Sequence, residues 1–179
     1  FPTSPVPNYI SITSLNPTYT SVTHSLKRQV RTRGGQRWSM DVTFPPLTRT
    51  DFAPVWAFAQ KQKGQFGTFT FTPPIYSNTS GTASGTFAGT TTITVDGLTG
   101  TLKAGDFIKF AGHDKVYSIV ADATTSLTIE PVLQLPVVNN EVVIFNAVPF
   151  TVSFSSDSQN MTVGVNGFVN YEMKLIEVV

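Results

Sequence analysis

The stretch LKRQVRTRGGQRWSMDVTF, residues 26–44, decides how this chain is expected to fold. The triplet Arg33-Gly34-Gly35 lies in its middle, and apolar residues recur at every second position on both sides. They are Leu26 and Val30 before the glycines, and Trp38, Met40, Val42 and Phe44 after them. Two alternating runs around a Gly-Gly turn are typical of a β-hairpin. The sequence therefore predicts a hairpin centred on residues 33–35.

The length of the turn sets which residues face each other across this hairpin. A two-residue Gly34-Gly35 loop would place Arg31 opposite Trp38 and would send the apolar residues to the wrong face. A three-residue loop that includes Arg33 keeps the apolar residues on one face, and we adopt it. It predicts three cross-strand pairs: Val30 with Trp38, Leu26 with Val42, and Lys27 with Asp41.

A single helix is expected after the hairpin, at about residues 51–63. Its apolar residues follow the i, i+3, i+4, i+7 spacing of one helix face: Phe52, Val55, Trp56 and Ala59. Either Thr50 or Asp51 could cap its first turn. Asp51 is preferred because Pro54 then falls among the positions whose N–H has no helical partner. Gly64 follows as a left-handed stop.

The rest of the chain reads as short strands, which makes the predicted fold class mainly β. Ser77–Thr92 consists almost wholly of Ser, Thr, Gly and Ala, which indicates a flexible boundary. Five short strands follow and suit a small β-barrel. Later strands, joined by an Asn166-Gly167 hairpin turn, need partners from the start of the chain. We therefore expect a discontinuous domain, residues 1–76 and 147–179, with a barrel inserted at 77–146.

Composition narrows the functional classes. Of the 179 residues, 13% are charged and none is cysteine. A chain without cysteine has no disulfide framework, thiolate metal site or thiol nucleophile. The longest apolar run, Val142–Phe145, is far shorter than the ~20 residues of a membrane helix, and Phe1–Pro5 does not resemble a secretion signal. A soluble protein without a membrane partner is expected.

Charge is distributed unevenly along the chain. Residues 1–63 carry eight Lys and Arg against two acids, whereas residues 64–179 carry four Lys against nine acids. A dipolar subunit of this kind favours head-to-tail or ring assembly, because the positive surface of one copy can meet the negative surface of the next. Chance clustering of charges on a solvated surface is the alternative.

The sequence offers little catalytic or cofactor chemistry. Its two histidines, His24 and His113, have no partner at metal-ligand spacing, and no phosphate-binding loop is present. Asp106, Asp114 and Asp122 lie close in sequence but in turn contexts, where Asp serves as a backbone hydrogen-bonder. We therefore predict a protein that is not an enzyme and has no cofactor or metal. A glycan-binding or glycan-cleaving insert that uses these acids is the alternative.

Four arginines of the predicted hairpin are candidate subunit-interface residues: Arg28, Arg31, Arg33 and Arg37. Arginines beside an aromatic residue could also bind nucleic acid through phosphate contacts and base stacking. The predicted register, however, places Trp38 on the apolar face beside Val30. An exposed, partner-facing β-ribbon explains the same arginines, so nucleic-acid binding is disfavoured.

The order of these elements resembles the distal tail or baseplate-hub ring proteins of tailed bacteriophages and their tail-tube relatives. The resemblance is carried by the turn and strand at Arg33–Val42, the helix at Asp51–Lys63 and the Phe-rich run at Gly64–Pro74. Residues 101–120 are similar to a small β-barrel module that is inserted in such phage proteins.

This resemblance implies a β-sandwich or split-barrel domain with one flanking helix, assembled as a hexameric ring in the virion. The ring would join the tail-tube protein to the tail-tip or baseplate-hub protein, with DNA passing through its channel. Assembly would take place in the host cytoplasm. The resemblance also allows a head–tail joining or tail-completion protein, and it transfers no catalytic residue.

Overall fold

The computed structural model describes residues 1–89 and 93–179, with only the backbone given for residues 80–89, 95–97 and 99. The described residues form one α-helix, α1 (Arg49–Lys61), and sixteen strands. The first eight strands are β1 (Tyr9–Leu15), β2 (Thr18–Val22), β3 (Arg28–Thr32), β4 (Arg37–Thr43), β5 (Phe69–Phe71), β6 (Ser80–Gly89), β7 (Ile93–Thr101) and β8 (Phe107–Phe110). The others are β9 (Val116–Ile119), β10 (Ser126–Leu127), β11 (Ile129–Glu130), β12 (Val137–Glu141), β13 (Val143–Ile144), β14 (Phe150–Phe154), β15 (Met161–Val163) and β16 (Val169–Glu177). The prediction of a mainly β fold is confirmed.

The chain divides into two compact units. Unit 1 comprises Phe1–Phe69 and Val152–Val178, and unit 2 comprises Thr70–Thr151 with Val179. The chain passes from one unit to the other within β5 and β14. The predicted domain boundaries at residues 76 and 147 stay a prediction.

Unit 1 is organised around an antiparallel sheet with the strand order β1-β4-β16-β14-β5, and β15 also pairs with β16. Alternate residues of β4 and β16 are buried, as expected for strands with one face against a core. Helix α1 lies on that face, because the Phe52 ring contacts the Tyr171 ring of β16 at 5.4 Å between centroids. Phe52, Val55 and Ala59 are the buried residues of the helix, which agrees with the predicted apolar face.

The predicted pairing of the decisive hairpin is wrong. β4 pairs with β1, so that Trp38 faces Ser14, while β3 pairs with β2, so that Val30 faces Thr20. Residues 9–43 form a single long hairpin that reverses at residues 23–27, and Gly34 only links two strands on the same side of it. The predicted pairs Val30–Trp38, Leu26–Val42 and Lys27–Asp41 therefore do not form. Alternation identified the buried face of β4, but it identified neither the partners of the two strands nor the exposure of β3.

The long hairpin has two parts, which differ in their strand partners. We call β1 with β4 the root, since both strands belong to the unit 1 sheet. We call residues 18–32 the arm, since β2 and β3 pair only with each other. The tip of the arm is closed by two backbone hydrogen bonds, from Thr23 N–H to the Lys27 oxygen at 3.0 Å and from Leu26 N–H to the Thr23 oxygen at 2.9 Å.

The start of α1 also differs from the prediction. Thr48 is the N-cap, and its Oγ1 accepts the Asp51 backbone N–H at 3.3 Å while donating to Asp51 Oδ2 at 2.6 Å. Asp51 is therefore the third helical residue and not the cap, and Pro54 lies inside the helix. The Thr48 hydroxyl thereby satisfies the Asp51 N–H and donates to the Asp51 carboxylate, which fixes the first turn three residues earlier than an Asp51 cap would. The helix ends before Lys63 and Gly64, which both have positive φ.

Unit 2 contains two four-stranded antiparallel sheets, with the orders β10-β7-β6-β12 and β11-β9-β8-β13. One hydrophobic cluster joins residues of both sheets, among them Ile93, Leu127, Ile108 and Tyr117. The predicted flexible boundary is wrong for Ser80–Gly89, which forms β6, and its residues 90–92 lie outside the described residues. Backbone pairing to β7 and β12 holds β6, and this pairing needs no large side chains.

The predicted Asn166-Gly167 turn is confirmed. β15 and β16 pair across it, and Gly167 has a φ of 81°. Among the described residues, the only α-helix is too short and too polar to cross a membrane.

Candidate assembly surface

The arm is a two-stranded ribbon without a packed face. Every residue of β2 and β3 is exposed, whereas β4 in the root buries alternate residues. The arm contains three cationic residues and no acid: Lys27, Arg28 and Arg31. Arg33 directly follows the arm. A ribbon this exposed gains little stability from a core of its own, and its strand edges stay open to further pairing.

Cross-strand register sorts the cations onto the two faces of the ribbon. Tyr19 faces Arg31, and the guanidinium carbon of Arg33 lies 4.7 Å from the centre of the Tyr19 ring. This cation–π contact places an aromatic ring and two guanidinium groups on one face. Arg28 faces Val22 and therefore belongs to the opposite face.

The four predicted interface arginines thus do not form a single cluster. Arg28 and Arg31 lie in β3, Arg33 lies at the end of the arm, and Arg37 starts β4 opposite Leu15 in the root. All four are exposed. Within the described part of the chain, none of them forms an ion pair. Their charge is available to a partner on both faces of the hairpin.

Leu26 stands at the tip of the arm rather than in the predicted apolar face. Its side chain is 85% exposed and its φ is 61°. Residues with a Cβ rarely adopt this left-handed conformation, and Gly, Asn or Asp usually occupies it. Val30 is also half-exposed. The two aliphatic residues that suggested a buried strand are therefore surface residues.

An open cleft of about 420 Å³ lies in unit 1 at the end of the root that is remote from the arm. Phe44 and Tyr171 supply aromatic surface to its lining, and its two charged residues, Glu172 and Lys174, lie 3.8 Å apart and offset each other. Asn160 and Thr162 supply neutral polar groups. These side chains come from the end of β4, from β15 and β16, and from the loop between β14 and β15.

Hydrogen bonds hold the cleft in shape. Tyr171 Oη donates to Gln159 Oε1 at 2.9 Å, and Gln159 Nε2 donates to the Ser156 backbone oxygen at 3.0 Å. Burial raises the pKa of Tyr171 to about 12, so its phenol stays a neutral donor at physiological pH. Asp157 Oδ1 accepts the Gln65 backbone N–H at 3.0 Å and ties the loop to the turn after α1.

Sequence reasoning missed this cleft, although a signal was present. The alternation of β14 stops at Phe154 and resumes at Met161, and the six residues between them are all polar. The chain leaves the sheet there and returns as β15 on the same neighbour, β16. An interruption of this kind within one sheet edge indicates an opening in the surface.

The carboxylates considered for glycan chemistry are bound to their own loops in unit 2. Asp106 is buried and accepts hydrogen bonds from Ser77 Oγ at 2.6 Å, Asn78 N–H at 2.9 Å and Thr79 Oγ1 at 2.9 Å. Burial acts to raise the pKa of Asp106, but these hydrogen bonds outweigh it and lower the pKa below its ordinary value. A carboxylate with this many donors is a structural anchor and is a poor proton donor.

The other two acids are also held locally. Asp122 accepts from Lys103 Nζ at 2.7 Å and from the Ala104 backbone N–H at 2.9 Å, and both contacts lower its pKa. Asp114 accepts from Thr151 Oγ1 at 3.0 Å. These contacts agree with the turn roles inferred from the sequence.

The two histidines have unrelated surroundings. His24 is exposed near the tip of the arm, whereas His113 is buried with its Nδ1 at 3.2 Å from Tyr117 Oη. Over residues 1–89 and 93–179, no group of three or more His, Asp and Glu side chains could hold a metal ion.

The chain was also compared with known protein families. Residues 68–148 match the model described as distal tail protein pb9, B domain. This range contains all the strands from β5 to β13. No curated protein matches the chain. The matched residues are less than half of the chain, so the finding is that this region is similar to the B domain of a distal tail protein.

Proposed function

We propose that the chain is a ring subunit at the distal end of a phage tail, where it joins the tail-tube protein to the tail-tip or baseplate-hub protein. The observation that carries the proposal is the match of residues 68–148 to the B domain of a distal tail protein. In this proposal six copies close around a channel through which DNA passes. The ring assembles in the host cytoplasm and has no catalytic residue, cofactor or metal.

The proposed organisation is a discontinuous ring domain, residues 1–76 and 147–179, that carries a small β-barrel at 77–146. Support comes from the sheet order of unit 1, in which β14 and β16 return beside β4 after the whole of unit 2 has been traversed. The ring-forming surfaces then belong to unit 1. In this proposal the inserted unit leaves the sheet of the ring domain continuous.

The arm and the adjacent start of β4 form the proposed subunit interface, in which Arg28, Arg31, Arg33 and Arg37 face neighbouring copies from the two faces of the hairpin. Unit 1 has nine basic and five acidic residues, whereas unit 2 has three basic and six acidic residues. A positive ribbon without a packed face is suited to an oppositely charged neighbour, which fixes register and speeds encounter. The exposed edges of β2 and β3 can also extend pairing into the next copy.

Two measurements test this function. Mass photometry and negative-stain microscopy of the purified chain, alone and with the tail-tube protein, are expected to show closed rings. Immunogold labelling of intact phage is expected to place the chain at the tail end opposite the head. Particles that remain monomeric at high concentration in both samples, or label at the head end, would contradict the proposal.

A further inference from the structure

The cleft of unit 1 is an opening along one edge of strand β16. β14 pairs with that edge from Glu177 to Leu175, and β15 pairs with it from Tyr171 to Val169. Among the described strands, none pairs with the edge between these two segments, where the chain runs as a loop at residues 155–160. The cleft volume of about 420 Å³ falls within the roughly 300–1,000 Å³ that is usual for small-molecule sites.

Neutral hydrogen-bonding groups dominate the lining of this cleft. Seven of its eleven side chains end in an amide or an aliphatic hydroxyl and carry no charge. Phe44 and Tyr171 are each only 3% exposed, so they add little accessible apolar surface. The single cation and the single carboxylate, Lys174 and Glu172, lie 3.8 Å apart and offset each other. Such a lining suits neither an apolar ligand nor an anion such as phosphate. It suits a neutral ligand that is rich in hydrogen-bonding groups.

Three of the lining side chains lie close together and are free to bind such a ligand. Thr162 of β15 is directly opposite Asn170 of β16, which places their Cβ atoms about 5 Å apart. Asn160, two residues before Thr162, also lines the cleft. Within the described part of the chain, no hydrogen bond uses the side chain of any of the three. An amide offers two donors and an acceptor, and a hydroxyl offers both functions, so donors and acceptors alternate over a few ångströms.

The loop beside these side chains is already fixed by its own contacts. Gln159 accepts from Tyr171 Oη and donates to the Ser156 backbone oxygen. A Cβ added at Gly64 would lie 2.6 Å from Asp157 Oδ1, so the turn after α1 packs closely against the loop. A site that is formed before the ligand arrives loses less conformational entropy on binding.

We propose that the unit 1 cleft binds a neutral saccharide, with Asn160, Thr162 and Asn170 bonded to neighbouring hydroxyl groups of one sugar ring. A sugar ring carries uncharged hydroxyls on adjacent carbons, and each of them both donates and accepts, which matches the alternating groups of the cleft. This inference goes beyond the proposed ring function and does not depend on it. It uses none of the acids of unit 2, which are bonded to their own loops.

Ligand-observed saturation-transfer NMR tests the site, and it works for a monomer and for a ring alike. The probes are the methyl glycosides of glucose, galactose, rhamnose and N-acetylglucosamine, the trisaccharides maltotriose and chitotriose, and glucose 6-phosphate. We expect saturable binding of at least one neutral probe, with a Kd on the order of 1 mM for a ligand this small. A trisaccharide that binds more tightly than its monosaccharide would indicate a polysaccharide as the source, and equal binding would indicate a free sugar. Glucose 6-phosphate is expected to bind no more tightly than methyl glucoside.

Substitutions then assign the binding to the cleft. Thr162→Val keeps the shape of the side chain and removes its hydroxyl, and Asn170→Ala removes the amide; each is expected to weaken binding about fivefold, as for the loss of one neutral hydrogen bond. The matched control, Asn139→Ala, removes an exposed amide of unit 2 and should leave the Kd unchanged.

Two results would overturn the proposal. One is the absence of saturable binding for every neutral probe at high millimolar concentration, and the other is a Kd that is the same in both cleft variants and in the unsubstituted chain. Closed rings without sugar binding would overturn this site and leave the ring function intact. Sugar binding by a chain that forms no ring would support the site and contradict the ring function.

Discussion

In the root, every second residue of β4 is buried, whereas all ten residues of the two arm strands are exposed. Both parts are antiparallel ribbons of the same hairpin, and both contain aliphatic residues. The two parts differ in whether further elements pack against their two strands. β4 has β16 on its other side and α1 over one face, while β3 has only β2. The burial of strand residues in this chain depends on the strands and the helix that pack against them. An alternating sequence pattern alone therefore does not predict it.

The largest expected effect separates the root from the arm by stability. Met40→Ala deletes a side chain that is 1% exposed and should lower the free energy of unfolding by about 2–5 kcal/mol. The matched arm variant, Val30→Ala, should change it by about 0.5 kcal/mol or less. Urea unfolding followed by tryptophan fluorescence reports on unit 1, because Trp38 and Trp56 both lie there. Equal losses in the two variants would show that the arm is packed as the root is.

The second-largest difference is expected between substitutions of the buried Asp106 and of the exposed Arg31. Asp106→Ala leaves the donors of Ser77, Asn78 and Thr79 without their acceptor and should cost about 2 kcal/mol, measured by amide exchange in unit 2. Arg31→Ala should leave exchange in the root unchanged. An equal effect of the two substitutions on amide exchange would contradict the expected difference between the buried Asp106 and the exposed Arg31.

The same carboxylate predicts a pH dependence. The pKa of Asp106 is lowered on folding, so its contribution is present above its ordinary value of 3.8 and is lost as the pH falls through the lowered pKa. In Asp106→Asn, the loss of unit 2 stability at low pH, the acid limb, should be smaller. Amide exchange in unit 2 measures this loss. The arm contains no acid and should show no such limb. An unchanged acid limb in the variant would assign the dependence to other groups.

A smaller effect is expected at the cap of the helix that covers the root. Thr48→Ala removes the side chain that bonds Asp51 and should lower the free energy of unfolding by about 1 kcal/mol. Thr50→Ala, in the same turn but without a side-chain bond, is the control and should cost nothing. Thermal unfolding by circular dichroism distinguishes them. A loss at Thr50 as large as that at Thr48 would argue against the cap.

The smallest effect is expected within the arm itself. Arg33→Ala removes the cation–π contact with Tyr19, which at an exposed site contributes about 0.5–1 kcal/mol to local order. Amide exchange should quicken in the arm and stay unchanged in the root. Faster exchange throughout unit 1 would mean that the arm and the root unfold together.

Much of the fold could be predicted from short-range pattern. The mainly β class, the apolar face of α1 and the Asn166-Gly167 turn follow from residue spacing within a few turns of chain. Thr48 was not predicted to be the N-cap, because the cap depends on the side chains of Thr48 and Asp51 acting together. β6 escaped because a strand of small residues is stabilised by backbone pairing with distant strands. The partner of β3 is the preceding strand β2, and it was not predicted because the turn between them, residues 23–27, contains no Gly, Pro, Asn or Asp to signal a reversal.

The candidate site could be predicted only in part. The arginines of the arm were recognised as exposed from their charge, but their division between two faces depends on the pairing of β2 with β3. The cleft is formed where the chain leaves β16 after Phe154 and rejoins it at Met161. Its shape follows from tertiary contacts such as Tyr171 with Gln159, which spacing does not encode.

The central claim is that the arm serves association while the root serves folding. The most direct test replaces residues 18–32 with an Asn-Gly turn and compares the shortened and intact chains by sedimentation velocity and near-UV circular dichroism. We expect the intact chain to sediment as a closed ring, and the shortened chain as a monomer with an unchanged near-UV spectrum. A shortened chain that still forms the same ring, or that loses its near-UV spectrum, would contradict the account.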